Sequence, residues 1–426
     1  MARAETYEVD PTPAQSQRVV LAALTDPESD WEESLAELER LADTANGQVV
    51  GVITQRRATP DPRTYIGSGK VDEVREVMER GDATLLIIDG DVYPSQQRNL
   101  EKLLDAQVID RTGLILDIFA RRAHTAEGKL QVELAQLQYL LPRLANMWSH
   151  LERIRGGIGL RGPGETQIET DRRLVRDRIA MLKGKVEEIR HRRTVQRSQR
   201  AQSQIPLVSL VGYTNAGKST LLNAISDAAV FVEDKLFATL DPTTRDVIFP
   251  NGTRALVSDT VGFIRNLPTQ LVAAFRATLE EVLSAELLVH VIDASNPGWV
   301  EQVETVEKVL GDLGAADKPV IMAFNKMDEV EDPALLRTLA TRYPYRVFLS
   351  ARRGEGMDEL EREIVTLLRS RWQDVDARLP LSAGDLVAEF HARGEVLFEE
   401  YREDEVELIG RAPNDVAARI ARRALK

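Results

Sequence analysis

The sequence predicts a multidomain α/β protein, on three observations. From Ile205 to about Ser370, apolar strand-like runs alternate strictly with helical patterns, the signature of a doubly wound, mostly parallel sheet. A second, shorter alternation covers residues 30–112. Between them lie two helical stretches joined by a glycine-rich loop, and a short mixed tail follows. A chain of 426 residues has room for about three domains at roughly 150 residues each.

Residues 1–20 carry no periodic apolar pattern and are expected to be disordered. The N-terminal α/β subdomain is placed at 21–128. Its helical patterns cover 31–44, 71–78 and 93–104, and its strand-like runs cover 49–53, 85–88 and 106–110. A helical hairpin is placed at 129–204. Leu130, Leu134, Leu137 and Leu141 mark one helical face, which Pro142 should kink or interrupt. From Asp171 to about Arg200, Val175, Ile179, Leu182, Val186 and Ile189 recur at heptad-like spacing. That seam is short, which favours a hairpin packed on a domain, and hence a monomer, over a dimeric coiled coil. The connecting loop is 156–164. Strands are expected at 205–211, 254–259, 287–293, 319–325 and 346–350 of a domain spanning 205–372. The tail, 373–426, reads helix, strand, strand, helix: a small α+β domain.

Composition narrows the chemistry. The chain has no cysteine, which excludes disulfides, thiolate metal sites and cysteine nucleophiles. The opening residues lack the apolar core of a signal peptide, and no uncharged apolar run reaches the ~18 residues of a membrane helix, so a cytoplasmic protein without a membrane span is expected. Net charge is −13, yet residues 143–200 hold 15 Lys plus Arg against 7 Asp plus Glu, a local +8. A solvated helical face is the commoner meaning of such a run; the functional reading is one anionic partner for this segment.

The strongest motif is Gly212-Tyr213-Thr214-Asn215-Ala216-Gly217-Lys218-Ser219, matching G-x-x-x-x-G-K-[ST] between an apolar strand and a helix. Backbone N–H groups of Gly212, Asn215, Ala216, Gly217, Lys218, Ser219 and Thr220 can cradle phosphates at the helix N-terminus. Lys218 reaches the β and γ phosphates, and the Ser219 hydroxyl ligates Mg2+. Asp259-Thr260-Val261-Gly262 ends the next parallel strand; Asp259 can hold Mg2+ through water and the Gly262 N–H can face the γ-phosphate. Thr239, in Phe237-Ala238-Thr239-Leu240-Asp241-Pro242, can add a hydroxyl to the metal, with Thr243 and Thr244 as rivals for that role.

Asn325-Lys326-Met327-Asp328 selects the base. Guanine offers a ring N–H and an exocyclic amine on one edge, and the Asp328 carboxylate accepts both. Adenine would leave that carboxylate unpaired, at a cost on the order of 1–3 kcal/mol or more. Asn325 should bridge to the phosphate loop, the Lys326 stem should lie on the base plane, and Ser350-Ala351 should offer a backbone N–H to the guanine carbonyl. The motifs in this order specify GTP as substrate and a P-loop GTPase fold. Phe263 stands where Ras-like enzymes place a water-orienting Gln, so slow intrinsic hydrolysis is expected, relieved by a partner or by K+ held with the help of Asn215.

Two decoys fall away. Gly157-Ile158-Gly159-Leu160-Arg161-Gly162 spells G-x-G-x-x-G but follows no strand. Gly67-Ser68-Gly69-Lys70 lacks the upstream glycine of a phosphate loop and reads as a turn before a helix. His124, His150, His191 and His290 have no ligand spacing.

The phrases TYIGSGKVDE, LQVELAQLQYLLPRL, RGGIGLRGPGETQIETDRR, GYTNAGKST, LFATLDPTTR, DTVGFIRNLP and NKMD together resemble the HflX family of ribosome-associated GTPases, over nearly the whole chain. The resemblance implies binding to the large ribosomal subunit and separation or rescue of stalled ribosomes under stress. It also fits a hydrophobic residue at 263. On that reading Arg153, Arg155 and Arg161 enter an RNA cleft, pairing phosphates or stacking on bases. The rival reading is a GTP-dependent regulatory switch with a non-ribosomal protein partner.

Overall fold

The computed structural model describes residues 16–26, 30–147, 163–203, 205–226, 236–237, 239–240, 242–265, 281–370 and 372–425. Two compact units divide the chain. The first holds 1–191 with 235–237 and 265–275; the second holds 192–234, 238–264 and 276–426.

The first unit is built on a parallel four-stranded sheet in the order β2-β1-β3-β4. Its strands are β1 (Gln17–Thr25), β2 (Gly47–Arg56), β3 (Leu85–Asp89) and β4 (Gln107–Asp110). The central strand β1 was not read from the sequence, and it starts inside the stretch expected to be disordered. Its run Val19-Val20-Leu21-Ala22-Ala23 is wholly buried, as a strand covered on both faces must be. Helices α1 (Trp31–Thr44), α2 (Ser68–Gly81), α3 (Pro94–Leu104) and α4 (Arg111–Arg122) connect or follow the strands. Gly67 caps α2, its N–H bonded to Gln55 Oε1 at 2.8 Å, so Gly67-Ser68-Gly69-Lys70 opens a helix.

Two long helices complete this unit's architecture. Helix α5 (Ala126–Met147) runs through Pro142 without interruption, so the expected break is absent. Helix α6 (Pro163–Ser203), whose residues up to His191 belong to this unit, begins eight residues before the expected Asp171 and is 41 residues long. Leu134, Ile179 and Leu182 are buried between them, flanked by Leu130, Leu137, Leu141, Val175 and Val186. Arg143 on α5 ties this layer to the sheet: its Nη2 donates to Asp110 Oδ2 at 2.8 Å, and Tyr139 donates to Asp110 Oδ1 at 2.8 Å. Residues 148–162, with the expected RNA contacts Arg153, Arg155 and Arg161, lie outside the described residues.

The second unit contains a six-stranded sheet in the order β10-β9-β8-β5-β7-β6. Strands β5 (Leu207–Gly212), β7 (Arg254–Asp259), β8 (Leu287–Asp293), β9 (Val320–Asn325) and β10 (Arg346–Phe348) are parallel. The edge strand β6 (Thr243–Ile248) pairs antiparallel with β7. Helices α7 (Lys218–Ile225), α8 (Trp299–Leu313), α9 (Pro333–Leu339) and α10 (Met357–Arg369) belong to this sheet. Val208, Leu210, Leu221, Val257, Val289, Ile321, Leu360 and Ile364 are buried in its core.

The tail forms a three-stranded antiparallel sheet, β11-β13-β12, from β11 (Gln373–Pro380), β12 (Glu395–Tyr401) and β13 (Glu405–Ala412). Helices α11 (Gly384–Arg393) and α12 (Asn414–Arg423) cover one face through Leu386, Phe390, Val416 and Ile420. The tail thus opens with a strand that the sequence reading did not include. In β11, Val375, Ala377 and Leu379 point inward between charged residues, a period of two.

Candidate functional site

Strand β5 delivers the chain into the loop 212–217, and α7 starts at Lys218. Glycine is required at two of its positions. A Cβ on Gly212, at φ +150°, would lie 2.2 Å from the Val291 carbonyl oxygen. One on Gly217, at φ +95°, would lie 2.3 Å from Asn325 Nδ2. Asn215 also adopts positive φ, +62°. The loop is therefore pulled tight against β8 at Val291 and the end of β9 at Asn325.

Lys218 is buried, with Nζ 2.9 Å from the Tyr213 carbonyl and 3.2 Å from that of Gly212. Burial pushes its pKa down to about 8, against the pull of Asp259. Asp259 is also buried, and burial raises its carboxyl above the ordinary range; Lys218 is the largest opposing influence. Ser219 Oγ donates to Asp259 Oδ2 at 2.6 Å and stands 2.7 Å from Thr239 Oγ1. Three segments far apart in sequence thus converge through Ser219, Thr239 and Asp259. The rivals Thr243 and Thr244 sit on β6 instead, opposite Asp259 and Ser258 in the ladder.

Asp259 Oδ1 is buried without a hydrogen-bond partner. A buried anionic oxygen beside two hydroxyls fits a hard divalent cation, and Mg2+ takes one or two carboxylates plus phosphate and water oxygens. Among the described residues no group of three or more His, Cys, Asp or Glu is placed to hold a metal.

Gly262 packs directly on the phosphate loop: a Cβ there would lie 2.6 Å from Thr214 Cα and 3.1 Å from Lys218 Nζ. Phe263 is 1% exposed. Its backbone is zipped to the loop, with Phe263 N–H donating to the Gly212 carbonyl at 3.1 Å and Thr214 N–H donating to the Phe263 carbonyl at 2.7 Å. This side chain is a structural wedge, and it supplies no group for orienting water.

The segment Asn325–Asp328, expected to select the base, starts where β9 ends. Asn325 Nδ2 donates to the Ala216 carbonyl at 2.9 Å, which is the bridge expected to the phosphate loop. The Ala351 N–H donates to Asn325 Oδ1 at 3.0 Å, and the Ser350 N–H to the Glu355 carbonyl at 2.9 Å. Both amides brace loops here, and Ala351 is tied by its N–H to Asn325, on the segment that precedes Asp328. Asp328, in a 3-10 turn at Met327–Glu329, has a side chain 6% exposed. The Ser350 hydroxyl, then Arg353 and Arg352, hold its carboxyl below the usual range.

Two residues of this site escaped the sequence reading. Asp293 Oδ2 is 2.6 Å from Lys326 Nζ and pins that lysine; Arg353 Nε lies 3.3 Å from Asp328 Oδ2. Asp293 ends β8, and the carboxyl ends of parallel strands are where ligands bind in such sheets, so position was the available signal. His290, on the same strand, is buried and held neutral, its pKa pushed down to about 3 by burial.

Comparisons with known proteins agree with this geometry. Three family models match in order: a GTP-binding GTPase N-terminal domain over 32–120, a GTP-binding GTPase middle region over 122–200, and a 50S ribosome-binding GTPase domain over 207–326. GTPase HflX of Lacrimispora saccharolytica is 45% identical, covering 95% of this chain and 96% of its own. The chain belongs to the HflX family of GTPases. GTPase HflX of Flavobacterium psychrophilum is 52% identical over 73% of this chain and 75% of that one. GTPase HflX of Escherichia coli strain K12 is 47% identical, covering 84% of each. GTP binding and hydrolysis accordingly belong to the P-loop domain of this HflX-family chain. Among the described residues no helix is long and apolar enough to cross a membrane.

Proposed function

We propose that this GTPase binds GTP with Mg2+ at the site just described and couples GTP binding and hydrolysis to dissociation or rescue of ribosomes through the large subunit. The observation that carries the nucleotide chemistry is the meeting of Ser219, Thr239 and the unpartnered Asp259 Oδ1, directly beside Lys218. Ser219 and Thr239 would hold Mg2+ by their hydroxyls, and Asp259 through water. The ion would supply charge stabilisation between the β and γ phosphates.

The remaining roles rest with the chain's own groups. Amides of Gly212 and of Asn215 to Thr220 would hold the phosphates, with Lys218 leaving the Gly212 and Tyr213 carbonyls for the β and γ oxygens. The Gly262 N–H would face the γ-phosphate. Asp328 would take both guanine donors, with the Lys326 stem over the base and its ammonium held by Asp293. With Phe263 buried, hydrolysis would be slow until a partner orders the switch segments or K+, held with the help of Asn215, assists.

Support for the ribosomal partner is the match of 207–326 to a 50S ribosome-binding GTPase domain, together with the +8 charge of residues 143–200. Arg153, Arg155 and Arg161 would meet rRNA. The second reading, a switch with a non-ribosomal protein partner, leaves that basic segment without a use. Cosedimentation with purified ribosomal subunits decides between them. Binding to the large subunit that strengthens with a non-hydrolysable GTP analogue supports the proposal; absence of binding in every nucleotide state favours the second reading.

A further inference from the structure

The three-stranded sheet of the tail ends on β12, which has β13 on one side only. Half of its backbone N–H and C=O groups therefore point away from the sheet, a template for another strand. Edges of this kind are blunted by brevity, charge, proline or a bulge, and this one has glutamates and a shift between Val396 and Phe398 yet keeps a paired stretch from Phe398 to Tyr401. This one is seven residues long and carries large apolar side chains in the open: Leu397 is 66% exposed, Phe398 46% and Tyr401 64%. Its backing is firm, because Phe390 on α11 and the β13 side chains Val406 and Leu408 are buried.

The charge around this edge is predominantly negative, although Arg369 pairs with Glu395, Arg378 with Glu407 and His391 with Glu399. Residues 395–407 hold seven acidic side chains and a single Arg402. Arg402 is already engaged, at 2.8 Å from Glu400 and 2.6 Å from Glu407, two glutamates placed opposite each other in the ladder. Glu403 and Asp404 are exposed in the adjoining turn. A second copy of this edge would bring like charges together, and a phosphate backbone would be repelled. An extended basic polypeptide meets neither obstacle: its main chain completes the ladder, its apolar residues cover Leu397 and Phe398, and its cations face the net negative edge and the exposed Glu403 and Asp404.

We propose that the β12 edge docks a lysine- or arginine-rich extended protein segment by strand addition. The local bulge at Leu397, where the ladder shifts register between Val396 and Phe398, limits that pairing to the stretch from Phe398 onward and sets its register.

The test uses the full-length chain and two synthetic eight-residue peptides, alternating Lys-Val and alternating Glu-Val. Amide hydrogen exchange of 395–401 is followed by mass spectrometry, and peptide affinity by fluorescence anisotropy. The Lys-Val peptide is expected to slow exchange there by about fivefold or more, with the effect fading at high salt, while Glu-Val does nothing. Leu397→Lys combined with Phe398→Lys should abolish the protection with GTP turnover unchanged. Glu403→Lys with Asp404→Lys, in the exposed turn, should weaken Lys-Val binding by about tenfold even if the first variant folds poorly. Equal protection by Glu-Val, no protection at millimolar Lys-Val, or undiminished affinity in the turn variant would each overturn the proposal. So would protection of the same amides by a single-stranded oligonucleotide in place of the peptide.

Discussion

Arg353 Nε lies 3.3 Å from Asp328 Oδ2, so the carboxylate proposed to select the base is capped by a neighbouring cation. The arginine side chain is 57% exposed and can swing away. An ion pair with so exposed a member is worth roughly 0.2–1 kcal/mol. Arg353→Ala is therefore expected to tighten GDP binding about two- to fivefold, because guanine no longer displaces a competitor. Titration with a fluorescent GDP analogue measures this; a tenfold weakening would instead make Arg353 a contact to the nucleotide.

The metal reading predicts a specific loss. Asp259→Asn removes the charge that makes the Ser219–Thr239 cluster a cation site while keeping its size. GTP affinity measured with and without Mg2+ should differ strongly in the native chain and little in the variant, a loss of about tenfold or more in the Mg2+ response. An unchanged Mg2+ response in Asp259→Asn would remove Asp259 from the site.

Backbone geometry predicts unequal effects for two glycines that both stand near a Gly-Lys pair. Gly217→Ala places a methyl 2.3 Å from Asn325 Nδ2 at positive φ, breaking the tether among Ala216, Asn325 and Ala351. It should lower stability by roughly 1–3 kcal/mol and abolish nucleotide binding. Gly69→Ala meets nothing within 4 Å and lies inside α2, so it should be neutral or stabilising by up to about 1 kcal/mol. Thermal melts of the two variants make the comparison, and equal destabilisation would contradict it.

Burial of Lys218 has a pH signature in the nucleotide-free protein. In the unfolded chain this lysine keeps its proton to about pH 10.5, and in the fold it releases it near 8. Between those values the unfolded state binds more protons, so the free energy of unfolding rises with pH across that window. The rise should be on the order of 1–3 kcal/mol, and Lys218→Met should flatten it. Denaturant unfolding at pH 7.5 and pH 9.5 measures it; a decrease in stability over that interval, specific to the native lysine, would refute the assignment.

What the sequence made legible was local. The phosphate loop, Asp259 and the Asn325–Asp328 segment each sit where a strand ends, and residue type and strand context together fixed their positions. The unread parts depend on long-range contacts. β1 looks like an apolar fragment after an irregular lead, and only its pairing with both β2 and β3 makes it a central strand. β11 alternates charged with small or apolar residues and needs β13 to register as a strand. Asp293 and Arg353 enter the site by pairing with Lys326 and Asp328, partners that no spacing rule connects. Pro142 misled because its ring was weighed against an isolated helix, whereas packing of α5 on α6 and the Arg143–Asp110 bond hold the helix through it.

The claim on which the rest turns is that the Asp328 carboxylate, steadied by Ser350 on a segment tied to the phosphate loop through Asn325, reads the paired donors of guanine. Dissociation constants of GTP and of xanthosine triphosphate for the native chain and for Asp328→Asn test it directly. The variant should lose GTP by about a hundredfold or more while gaining affinity for the xanthine nucleotide, whose carbonyl suits an amide donor. A variant that keeps its guanine preference would contradict it.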